Sequence, residues 1–149
     1  MSETKYGKNI ISGIPDELKE QFTMREETQE GGPGKTMLFT NGEYNPGVNF
    51  FITGWISKEG IDPRIHSHNH DEYMGFFGSD ADHPEELYGE IEYTLGGEEH
   101  TITKSGLIFI PAGVTHCPIK YKKVGKPIFC FVTTPTPCCV NENEEKYQE

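Results

Sequence analysis

Between Lys35 and Thr134 the chain is divided into short β-prone runs by turn residues, and no long helical period interrupts them. The runs are Lys35–Thr40, Val48–Lys58, Ile65–Phe77, Glu90–Leu95, Glu98–Thr103, Leu107–Ile110, Val114–Ile119 and Pro127–Thr134. Gly 17 and Pro 10 are high counts for 149 residues and supply the turns. Asn41-Gly42 marks one turn. Gly96-Gly97 marks another and is a two-residue hairpin signal. That hairpin sets Tyr93 opposite His100 and Ile91 opposite Ile102. About eight short strands without a long helix predict an all-β sandwich or closed barrel. A barrel of about eight strands can enclose one small ligand.

Outside this block the pattern changes. Residues 1–34 read as an N-terminal extension, residues 35–134 as the β-barrel, and residues 135–149 as a polar acidic tail. In the extension, Pro15 followed by Asp16-Glu17-Leu18-Lys19-Glu20-Gln21-Phe22 predicts a short helix with acids in its first turn. Leu18 and Phe22 would share one of its faces. Gly31-Gly32-Pro33-Gly34 then ends it. The tail from Asn141 reads as disordered.

The net charge is -11, which argues against nucleic acid and anionic membranes as partners, because phosphate neutralisation needs a basic face. No apolar run is long enough to span a bilayer. Met1–Lys8 is polar and no apolar leader follows, so a cytoplasmic location and reduced thiols are expected. The cysteines, Cys117, Cys130, Cys138 and Cys139, contain no CxxC pair, which disfavours a thiolate zinc site.

The segment Arg64-Ile65-His66-Ser67-His68-Asn69-His70-Asp71-Glu72 carries the chemistry. In an extended strand, even spacings share a face, so His66, His68, His70 and Glu72 fall on one side. Imidazoles and a carboxylate can hold a divalent transition metal with positions left open. A second signature, Gly106-Leu107-Ile108-Phe109-Ile110-Pro111-Ala112-Gly113-Val114-Thr115-His116, ends one β run in a Pro-Ala-Gly turn and starts another carrying His116.

At these residues the chain resembles the cupin superfamily, small RmlC-like β-barrels. Gly60 precedes His66-Ser67-His68, and Glu72 follows after a gap of three. The closing glycine, Gly78, stands one residue early. In the second motif Pro111, Gly113 and His116 fit, four residues separate Gly106 from Pro111, and Lys120 occupies the place of an asparagine. The motifs span residues 60–116. The resemblance implies a cupin-type double-stranded β-helix, a jelly-roll barrel, with a short N-terminal helical segment. It implies His66, His68, Glu72 and His116 as ligands to one divalent Fe, Mn, Ni, Co, Cu or Zn ion. The family spacing makes His70 a neighbour of the site, although parity alone leaves it open as a ligand. Dimers are common in the family, so a homodimer is expected, with Tyr6–Ile11 as a strand available for exchange.

Other residues read more plainly. Asp71 is expected to be solvated or ion-paired. His83 lies in a polar insert, Ser79–Gly89, and His100 on the hairpin. Cys117 should turn away from the metal by alternation and be an inert buried thiol. Phe50, Trp55, Tyr73 and Phe76 read as core. Two functional classes stay open. One is a metal-dependent enzyme of decarboxylase, oxygenase or isomerase type acting on a small oxygen-rich substrate. The other is a non-catalytic metal- or ligand-binding domain. A third reading is a metal-free cupin in which the histidines act as acid and base.

Overall fold

The computed structural model describes residues 4–21, 33–42, 44–45, 50–135 and 146–147. The strands are β1 (Gly34–Asn41), β2 (Phe50–Ile56), β3 (Gly60–Asp62), β4 (His66–Ser67), β5 (Glu72–Phe77), β6 (Glu86–Leu95), β7 (Glu98–Lys104), β8 (Gly106–Ile110), β9 (His116–Val124), β10 (Ile128–Thr133) and β11 (Lys146–Tyr147). They form two sheets, ordered β1-β2-β10-β5-β8 and β11-β4-β9-β6-β7, with β3 also on β9.

The pairing defines the fold. β2 lies against β10, β3 and β4 against β9, β5 against β8, and β6 against β7, all antiparallel. This is one long hairpin whose closed end is Gly96-Gly97, rolled so that successive pairs alternate between sheets. Contacts between β5 and β10 and between β6 and β9 complete each sheet. That arrangement is the jelly roll, so the chain has the cupin-type double-stranded β-helix fold. The hairpin has the expected register, with Tyr93 opposite His100 and Ile91 opposite Ile102, because two glycines with φ of 59° and 82° make the turn.

Four expectations need correction. Ile65–Phe77 is not one strand. It breaks at His68–Asp71, and the chain crosses from one sheet to the other there. The insert is shorter than Ser79–Gly89, because β6 begins at Glu86. Trp55 and Tyr73 are not core residues. Trp55 is 37% exposed, and Tyr73 packs on Phe109 at 5.2 Å between centroids, outside the interior cluster. In the tail, Lys146–Tyr147 pair with Ser67 and His66. The rest of it lies outside the described residues.

The predicted helix at Asp16–Phe22 shows a 3-10 turn over Asp16–Leu18, with Leu18 buried and Phe22 outside the described residues. In the segment considered for exchange, Gly7–Asn9 is another 3-10 turn and Ile10 is exposed.

The core lies between the sheets. Phe76, Leu87, Ile91, Tyr93, Ile110, Ile119, Tyr121 and Ile128 are buried there. Their aromatic rings meet edge to face, with Phe76 at 6.2 Å from Tyr93 and 6.1 Å from Tyr121. No described helix is long and apolar enough to cross a membrane.

Candidate metal centre

The three imidazoles reach the site by different routes. His66 on β4 and His116 on β9 are direct partners across the ladder, so their rings project to the same side, 4.2 Å apart. His68 stands in the turn after β4. Its ring is 4.9 Å from that of His66 and 5.2 Å from that of His116. One nitrogen from each lies within 4.8 Å of the others. Glu72 opens β5 in the opposite sheet and points into the same space. Its Oε2 is 3.0 Å from His68 Nε2 and 3.1 Å from His116 Nε2. Of the four residues that parity put on one face, His66, His68 and Glu72 meet and His70 stands aside, and the cause is the crossing between sheets rather than a shared strand face.

Tautomers follow from the partners. His66 Nδ1 is 2.7 Å from the Arg64 carbonyl, and His116 Nδ1 is 3.2 Å from the Val114 carbonyl. A carbonyl only accepts, so each Nδ1 donates and each Nε2 presents a lone pair in the neutral ring. Backbone carbonyls commonly fix metal-binding histidines in this way.

The electrostatics of Glu72 are unusual. His68, Glu72 and His116 are buried, and His66 is half-buried. Despite their 3.1 Å approach, Glu72 Oε2 and His116 Nε2 have no hydrogen bond of acceptable direction to any group. The approach is therefore proximity and not a hydrogen bond. Two buried lone pairs facing each other are unfavourable unless a cation satisfies both. Burial pushes the Glu72 carboxyl up, and positive charge beside it, whether on the imidazoles of His116 and His68 or on a bound cation, keeps it ionised. Neighbouring N and O ligands of an ion with bonds of about 2.1 Å stand roughly 3 Å apart, which is the spacing observed here. The donor set of imidazole nitrogens and one carboxylate suits Fe, Mn, Ni, Co, Cu or Zn.

Remaining candidates lie around the group. His70 is buried and stacks on His68, at 4.9 Å and 8° between planes, and Phe50 meets it edge-on at 6.5 Å. It is not among the clustered imidazoles. Cys117 is buried, but alternation fails there. Its φ of 76° leaves both His116 and Cys117 inside. Burial raises the thiols of Cys117 and Cys130, the latter to about 12, so neither is a thiolate at neutral pH. His100 is exposed, with its ring 3.6 Å from Glu98.

Asp71 was not expected to matter. Its Oδ1 accepts from the Ala112 N–H at 2.9 Å, while the Gly113 N–H donates to the His68 carbonyl at 2.8 Å. The turn that bears His68 is thus fastened to the Pro111–Gly113 turn that precedes His116. The sequence signal was a short acceptor side chain next to a ligand, and it carries weight only once that turn is seen to lie alongside.

No family model matches the chain, and no curated protein does. Solved structures share its outline. An RmlC-like cupin from Shewanella frigidimarina is 18% identical, with 72% of this chain and 80% of that one covered and a TM-score of 0.47. A protein with a double-stranded β-helix domain from Klebsiella pneumoniae is 18% identical, covering 80% and 87%, with a TM-score of 0.49. A predicted oxalate decarboxylase from Thermotoga maritima is 13% identical, covering 68% and 76%, with a TM-score of 0.48. The fold itself rests on the strand pairing above.

Proposed function

We propose that this chain is a metal-dependent cupin enzyme in which His66, His68, Glu72 and His116 hold one divalent transition metal and a small oxygen-rich molecule is the substrate. The observation that carries this reading is the pair of buried lone pairs, Glu72 Oε2 and His116 Nε2, 3.1 Å apart with no hydrogen bond. A bound ion would supply Lewis acidity and, for a redox metal, electron transfer. The chain's own part is positioning. Carbonyls of Arg64 and Val114 orient two of the rings, and the Asp71–Ala112 bond holds the two ligand-bearing turns together. His66, as the one half-buried member, marks the side from which substrate arrives. The donor set serves decarboxylation, oxygenation or isomerisation alike.

A second reading has its own support. The interior beside the site is filled by Phe76, Tyr93 and Tyr121, with Tyr93 donating to Met74 Sδ at 3.5 Å. A packed interior suits a binding or structural domain in which metal supports the fold.

Elemental analysis of the purified protein beside a His68→Ala variant tests the site. Stoichiometric Fe, Mn, Ni, Co, Cu or Zn in the wild type, lost in the variant, is expected. Absence of metal from both after reconstitution would return the histidines to acid–base or binding roles. Turnover of small oxyacids or dicarbonyl compounds by the loaded protein then separates enzyme from binding domain.

A further inference from the structure

Given the metal site proposed above, we propose that the C-terminal pair Lys146–Tyr147 is a positioning element for His66, and that tail docking and metal binding reinforce each other. The four candidate ligands are not held alike. His116 opens β9, which is paired with β6 from Val124 back to His116 and with β3 as well. Glu72 opens β5, which runs between β8 and β10. The His68 carbonyl accepts from the Gly113 N–H at 2.8 Å. His66 alone stands on a strand only two residues long, His66–Ser67.

That strand depends on the tail. On one edge β4 meets β9 at the single position His66 opposite His116. On the other edge it meets β11, with Tyr147 opposite His66 and Lys146 opposite Ser67. The tail therefore pairs with the whole of β4, and β9 with half of it. Within the sheet order β11-β4-β9 the backbone of His66 lies between those of Tyr147 and His116. The neighbouring Asp62–Arg64 cluster does a different job. Asp62 Oδ1 accepts from the Arg64 N–H at 3.3 Å, and the Arg64 carbonyl is 2.7 Å from His66 Nδ1. That carbonyl orients the ring, whereas the ladder sets where the strand itself lies. A two-residue strand held at one ladder position has little to set against the entropy of ordering it. Pairing on its second edge supplies the rest.

Charge couples the two events. Residues 141–149 contain Glu142, Glu144, Glu145 and Glu149 against one cation, Lys146. The empty site presents the negative charge of Glu72 to this acidic segment. A divalent ion turns the charge of the site positive, so the same segment docks better on the loaded protein. Coupling between two binding events is reciprocal. If metal favours docking of β11, then docked β11 favours metal by the same factor. His66 is also the half-buried member of the group, so the tail acts at the side of the site that faces outward.

Two full-length variants test this with cobalt(II) as the probe. Successive residues of an antiparallel edge point their N–H groups in opposite directions, so the double variant Lys146→Pro, Tyr147→Pro removes whichever one bonds β4. The double variant Lys146→Ala, Tyr147→Ala keeps both. Near-ultraviolet circular dichroism of both should match the wild type, because neither position belongs to the interior cluster. Release of cobalt to excess chromogenic chelator should be about 10-fold faster from the proline variant and near the wild-type rate from the alanine variant. Hydrogen exchange of the C-terminal peptide, read by mass spectrometry on the wild type, should slow by a similar factor when cobalt is bound. A wild type that loads no cobalt overturns the metal site and the tail's role with it. A wild type that loads cobalt, beside a proline variant that releases it no faster or a tail whose exchange ignores the metal, overturns the tail's role alone. An alanine variant as fast as the proline variant overturns backbone pairing as the cause.

Discussion

Asp71 accepts a hydrogen bond from the backbone N–H of Ala112 at 2.9 Å, and this bond joins two segments 41 residues apart that each bear candidate ligands. On one side are His68 and Glu72, and on the other is His116. The carboxylate touches none of the clustered nitrogens, so its effect runs through backbone position. Outer groups of this kind typically contribute about 10-fold or more to metal affinity. Asp71→Ala is expected to weaken metal retention against a chelator by about that factor and to lower stability by about 1–2 kcal/mol. Asp71→Asn keeps an acceptor oxygen and should retain most of both. Chelator competition and thermal unfolding on the three proteins check this. Equal losses in both variants would show that the charge, and not the hydrogen bond, matters.

Metal removal should destabilise the wild type and leave ligand variants almost unaffected. The reason is that Glu72 Oε2 and His116 Nε2 are buried without hydrogen bonds, and in the proposed site a cation between them would satisfy both. Metal present at about 1,000 times its Kd stabilises a native state by roughly 4 kcal/mol. Chelation should remove that increment from the wild type, while His116→Ala, which lacks one donor, should melt at the same temperature with and without chelator. Calorimetry of the four samples reads this directly. A wild-type melting temperature that ignores chelator would count against the site.

Much of this was legible in the sequence, and the failures have physical causes. The Gly96-Gly97 hairpin was readable because its register is fixed by local turn chemistry, and the observed pairs match it residue for residue. That His66, His68 and His116 come together was readable because metal-capable side chains at motif spacing are hard to explain as packing. The route they take was not. A period of two describes a strand, and nothing local in His68–Asp71 signals a crossing between sheets. Trp55 and Tyr73 were misplaced for a related reason. Alternation tells which residues share a face but not which face turns inward, and here the outward set is aromatic too. Asp71 depended on a contact 41 residues distant, which no local pattern encodes.

Gly78 has a packing role that a single methyl group would expose. A Cβ on it would lie 1.9 Å from the Glu86 carbonyl oxygen and 2.9 Å from the carbonyl carbon, both backbone atoms that β6 pairing holds in place. Gly78→Ala is expected to destabilise the fold by about 1–3 kcal/mol through overpacking. Gly106→Ala is the matched control. Nothing lies within 4 Å of its added Cβ, so its effect should stay within about 0.5 kcal/mol. Denaturant unfolding of the two variants makes the comparison. A Gly78→Ala variant as stable as Gly106→Ala would mean that the short loop yields freely.

The loop between β5 and β6 should loosen at both extremes of pH, each for its own reason. Lys126 donates to Asp80 Oδ2 at 2.9 Å, the Asp82 N–H donates to Oδ1 at 3.0 Å, and the Tyr88 hydroxyl donates to Oδ2 at 3.1 Å. The Lys126 bond is the largest cause that holds the Asp80 carboxyl down, from its ordinary 3.8 to about 2. Asp80 in turn raises the Lys126 ammonium above its ordinary 10.5. A lowered carboxyl contributes fully above 3.8, and that contribution is lost as pH falls towards 2. A raised ammonium contributes fully below 10.5, and its contribution is lost as pH climbs past the raised value. The group is near the surface, so global stability should change little. Local order should change, because Lys126 lies 4.1 Å over the Tyr88 ring and the Gly125 N–H donates to the Tyr88 carbonyl at 2.7 Å. Tyr88 ring resonances followed by NMR should therefore shift between pH 4 and pH 2 in the wild type and not in Asp80→Asn. A shift of the same size in Asp80→Asn would assign the low-pH change to another carboxylate.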